Sequence, residues 1–196
     1  MANKWDWPWA AGGALPALGL SFLLGGLAGA LMAALAGGEG ARELSAYLSD
    51  YLILAGQEGA AARFCPLLWG RLRDLLIALI LGMTALGAVG LPVLFAARGF
   101  LFAFSVGCFC RVFGGAGLFP AFALFGLSAL LWTPALFLAG VPGMTRARRL
   151  MAGGGQSGLG VSWALLALCG GLALAAALTE RWVAPVLLRA AARVVL

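Results

Sequence analysis

The sequence predicts an all-α fold, a polytopic transmembrane helical bundle of about five spans, and three observations carry that prediction. Of 196 residues, 63% are apolar and only 10% are charged, whereas a soluble domain carries roughly 25% charged residues. Mean hydropathy is +1.03. The charged residues leave long charge-free intervals, Pro8 to Gly38, Leu75 to Ala97, Val112 to Thr145 and Leu150 to Thr179, each able to hold the roughly 20 residues that a crossing helix needs. One integral membrane domain over 1–196 is expected, with little left over for a soluble catalytic domain.

The first span is read at 15–36. It follows Trp5, Trp7 and Trp9, whose amphipathic rings favour the headgroup level. Ala34-Leu35-Ala36 has the form of a signal-peptidase site, but the apolar run is longer than a secretory h-region and only Lys4 precedes it. The segment therefore reads as an uncleaved anchor. An outer loop over 37–74 carries Glu39, Glu43, Asp50, Glu58 and Asp74 against Arg42, Arg63, Arg71 and Arg73.

Further spans are read at 75–96, 99–113, 118–139 and 159–178. The segment 99–113 is short for a crossing, so it is either a thin span or a re-entrant piece. The tail 181–196 places Arg189 and Arg193 on one helical face, which suits an amphipathic interfacial helix as well as a frayed polar end. The cluster Arg146, Arg148 and Arg149 belongs in the cytoplasm by the positive-inside rule. Counting through five spans then puts Arg98 and the N-terminus inside and the acidic loop outside. A multi-pass protein of the cell membrane is expected.

The inventory of reactive groups is short. There is no histidine, so imidazole-dependent nucleophilic catalysis has no base. Cys65, Cys108, Cys110 and Cys169 show no redox or zinc spacing and read as small packing residues. The 13 basic residues are scattered, which argues against nucleic acid as a partner. The expected spans hold no acid. Arg98 and Arg111 stand near span ends and read as snorkelling to the headgroups, the alternative being a cation that faces the bundle interior or binds a lipid phosphate. Gly25 and Gly29 form a G-x-x-x-G spacing suited to close helix packing or to a homo-oligomer face. Neither a cofactor nor a metal is expected.

Several central residues add a resemblance. Gly90-Leu91-Pro92, Arg98-Gly99-Phe100 and Phe104-Ser105-Val106-Gly107, in that order, resemble the signature of the stage II sporulation protein M family. The end of the chain, Trp182-Val183-Ala184-Pro185-Val186-Leu187-Leu188, is similar to that family's terminal segment. Leu127-Ser128-Ala129 stands where members often carry Pro-Gln-Asn, while Thr133-Pro134 keeps the later proline. The resemblance implies a non-enzymatic membrane scaffold that recruits peptidoglycan-degrading hydrolases to the septal and engulfing membrane during endospore formation.

Tyr47, Tyr51, Leu52 and Trp69 are the residues expected to contact such a partner, being large apolar or aromatic side chains in a polar segment. Folding back on the bundle or resting on the headgroups is their other use. A transport or permease-like component of unknown substrate is the second functional reading. A membrane enzyme is the third.

Overall fold

The computed structural model describes residues 13–35, 64–153, 163–183 and Val186. They form α1 (Ala14–Leu35), α2 (Phe64–Met83), α3 (Gly87–Phe113), a short α4 (Leu118–Ala121), α5 (Leu127–Met151) and α6 (Trp163–Trp182). A 3₁₀ turn over Gly114–Gly117 precedes α4 and a π-helical turn over Phe122–Gly126 follows it. The all-α bundle is as the sequence predicts. α1, α3, α5 and α6 are each long and apolar enough to cross a membrane, which makes this a multi-pass membrane protein. α2 has the length, but Arg71, Arg73 and Asp74 lie along it.

Several boundaries differ from the sequence reading. The expected second span, 75–96, is broken by a tight turn at Thr84–Leu86. There the Thr84 and Gly87 amides donate to the Leu81 and Thr84 carbonyls, and the Thr84 hydroxyl also donates to Leu81. The expected third segment, 99–113, is the second half of α3, whose 27 residues extend about 40 Å against a hydrocarbon core of roughly 30 Å. Gly90-Leu91-Pro92 accordingly lies inside a helix and makes no turn. The expected loop 37–74 also loses its last part, since Phe64–Asp74 is helical.

Glycine sets the closest approach in the bundle. α1 and α3 run parallel, with Gly25 against the Ala96 carbonyl, Gly29 against that of Phe100, and Gly99 against that of Phe22. A Cβ at any of the three would collide with backbone. α5 lies across this pair, and Phe137 meets Phe95 edge-on at 4.7 Å between ring centroids. α2 approaches α5 where Gly82 touches Gly143. α6 packs antiparallel on α5, with the Cys169 thiol donating to the Ala135 carbonyl over 3.5 Å. Leu18, Leu91, Phe95, Leu136, Val141 and Cys169 are fully buried at the centre.

These pairings sort the helix ends. One end of the bundle holds Gly13, the Thr84–Leu86 turn, the Arg148 side chain beside Gly13, and the start of α6. The other end holds Leu35, the start of α2, the Gly114–Gly126 connection and Trp182. α3 stops at Gly114, whose φ of +59° is open to glycine at little cost.

Candidate functional site

The site begins with a charge that the sequence reading left outside the membrane. Asp74 is the eleventh residue of α2 and Arg98 the twelfth of α3, so the antiparallel hairpin brings both to about the same height. An Arg98 guanidinium nitrogen pairs directly with an Asp74 carboxylate oxygen. Only 5% of the Asp74 side chain is exposed, against 27% for Arg98. Arg73 adds a second cation 4.0 Å from the carboxylate, but its own side chain is 64% exposed, so solvent or headgroups screen that contact.

Arg98 is therefore not a snorkelling residue at a span end. An unpaired charge near the bilayer centre costs about 2.5–3.5 kcal/mol on insertion scales, and the carboxylate removes the reason for it to reach the headgroups. Asp74 itself belongs to α2, which is not among the helices apolar enough to cross, and its charge is neutralised against a helix that is.

Two further polar links join helices. The Ser128 hydroxyl, 2% exposed at the start of α5, donates to a Glu180 carboxylate oxygen near the end of α6. Arg111, in the last turn of α3, donates to the carbonyls of Ala33, over 3.3 Å, and Ala34. Both carbonyls belong to the last described turn of α1, where the helix dipole favours a cation. Arg111 thus bonds a neighbouring helix from an exposed position at the end of α3.

Between α1, α3 and α5 lies a cavity of about 270 Å³. Phe22, Phe102, Phe125 and Trp132 give it an aromatic wall, and Arg98 supplies its cation. Ser105 and Thr133 add hydroxyls, that of Ser105 also donating to the Leu101 carbonyl at 2.8 Å. The π-helical turn carries Phe125 into this wall, and such turns often mark functional sites. No group of three or more potential metal ligands occurs among the described residues.

The resemblance residues concentrate on α3. Gly90 packs under the Leu81 side chain, Gly99 on α1, and Gly107 against Ala33. Phe100 and Phe104 stack at 5.8 Å. Pro92 and Val106 lie along the same helix, while Pro134 is in α5. Pro185 lies outside the described residues, as do Tyr47, Tyr51 and Leu52. Trp69 stands on the second turn of α2, not in a loop, and is 62% exposed.

A reading in which every charge bounds a span hides Asp74. A signal for it existed. The apolar run Phe64-Cys65-Pro66-Leu67-Leu68-Trp69 precedes the charges, and Thr84 and Gly87 punctuate the interval that follows them. No family model, curated protein or solved structure matches the chain.

Proposed function

We propose that the chain is a non-enzymatic scaffold of the cell membrane, with its N-terminus in the cytoplasm, that recruits and positions peptidoglycan-degrading hydrolases during septal thinning and engulfment. One observation supports the platform part of this reading. Four charged residues of the helices hold helices together: Asp74–Arg98 joins α2 to α3, Arg111 joins α3 to α1, and Ser128–Glu180 joins α5 to α6. A bundle fastened in this way offers partners a stiff surface. The hydrolase part rests on the resemblance of the α3 residues.

Trp69, exposed near the end of the bundle that holds Leu35 and Phe64, is the described residue best placed for a partner. Affinity capture from sporulating cells with the intact chain is expected to recover a cell-wall hydrolase. A combined Tyr47→Ala, Tyr51→Ala and Trp69→Ala variant is expected to lose it. Capture of no hydrolase by the intact chain would overturn the reading.

A transport or permease-like role is the second reading, and the cavity with a cation at mid-height favours it. Selective solute flux in liposomes holding the purified protein alone would establish that role instead.

A further inference from the structure

We propose that the cavity between α1, α3 and α5 binds a small amphiphilic carboxylic acid, its head on Arg98 and its apolar body against Phe22, Phe102, Phe125 and Trp132. The proposal is independent of the scaffold reading. Three features select this ligand class.

The first is the cation. A guanidinium has five N–H donors in a planar fork, more than one carboxylate can use. Arg98 pairs with Asp74, lines the cavity and keeps 27% of its side chain exposed. A second oxygen acceptor can therefore share it, and planar carboxylates match the fork best.

The second is charge balance at that depth. Asp74 already neutralises Arg98, so a ligand that arrived as a permanent anion would add an uncompensated charge in a low-dielectric setting. A carboxylic acid avoids this. It reaches the site through the bilayer as the neutral acid and keeps its proton there, its carbonyl oxygen accepting from the Arg98 guanidinium. Net charge then remains zero.

The third is size and lining. The volume of 270 Å³ falls just under the roughly 300 Å³ at which pockets for small ligands begin. That suits a head with a medium-length chain or one ring, and excludes a two-chain phospholipid from lying wholly inside. The walls beyond Arg98 are mainly aromatic and aliphatic, with Ser105 and Thr133 as the added hydroxyls.

The test uses the full chain in phosphatidylcholine nanodiscs with radiolabelled decanoic acid, and empty nanodiscs for background. One saturable site per chain is expected, with decanol at least tenfold weaker as a competitor. Decyltrimethylammonium is expected not to compete. Ala129→Phe and, separately, Thr133→Leu fill the cavity and should abolish saturable uptake. The double variant Asp74→Asn with Arg98→Gln removes the cation without stranding a charge, and should erase the preference for acid over alcohol. Uptake equal to empty nanodiscs, equal competition by decanol, or wild-type binding by both filled variants would overturn the proposal.

Discussion

Asp74 and Arg98, from the two arms of one helical hairpin, form an ion pair at mid-height of a bundle whose composition is otherwise hydrocarbon-like. Its energetic meaning lies in what happens when one member is lost. Removing one partner of a buried pair leaves a stranded charge and costs about 3–5 kcal/mol, whereas removing both is often close to neutral. Asp74→Asn and Arg98→Gln should each lower thermal stability in detergent by about 3 kcal/mol, the double variant by less than either. A double variant as unstable as the sum of the singles would show that the two residues act separately.

The α1–α3 seam gives a prediction with its own control. Gly25→Ala or Gly29→Ala places a methyl into the backbone of α3, and overpacking of this kind costs about 1–3 kcal/mol. Gly19, one helix face away, has nothing within 4 Å of a built Cβ. Gly19→Ala should be neutral or stabilise by up to about 1 kcal/mol through helix propensity. Equal effects at positions 19 and 25, read by unfolding in detergent, would deny the seam.

How much of this was legible differs from helix to helix. α1 and α6 follow from charge-free runs that no neighbour interrupts, so the expected 15–36 and 159–178 lie close to Ala14–Leu35 and Trp163–Trp182. α5 continues to Met151, past the expected 139, because hydropathy reports the lipid boundary and not helix termination: Arg146, Arg148 and Arg149 prolong the helix beyond the apolar stretch. α2 and α3 were divided wrongly because burial of a charge depends on a partner that only folding brings near. Arg98 and Arg111 were singled out as residues. Their pairing with Asp74 and with the α1 carbonyls does not show in the chain, since which groups meet is decided only when the helices pack.

Arg111 makes α1 dependent on α3 at its exposed end. Arg111→Ala leaves the Ala33 and Ala34 carbonyls without this donor. The side chain is exposed, so the cost is small, about 1 kcal/mol or less after screening. The local effect should be clearer. Hydrogen exchange in the last turn of α1 should quicken severalfold while the centre of α3 stays protected, and Arg111→Lys should restore part of the protection. Unchanged exchange around Ala33 would remove the capping role.

Ser128 occupies the segment where the resembled family often carries a polar tripeptide, and its hydroxyl now serves Glu180 across the α5–α6 contact. Ser128→Ala should destabilise by about 1–3 kcal/mol, the range for a buried bond to a charged acceptor. Glu180→Gln should cost less, because the amide oxygen still accepts. The reverse order in thermal unfolding would place the dominant partner of Glu180 elsewhere.

The pairing of helix ends leads to a prediction about sides of the membrane that needs no assumption about which side is cytoplasmic. α1 and α3 run parallel, α2 and α3 antiparallel, and α5 and α6 antiparallel. Single cysteines at Ala85 and at Gly153, in a background with the four native cysteines replaced, should therefore react with an impermeant maleimide from one and the same side. Single cysteines at Gly115 and at Val183 should react from the other. Because α2 carries three charged residues in its middle, the decisive comparison is Ala85 with Gly115, the two ends of α3. If these label from the same side, α3 does not cross, and Asp74 and Arg98 meet at a membrane surface where their pairing would be worth little.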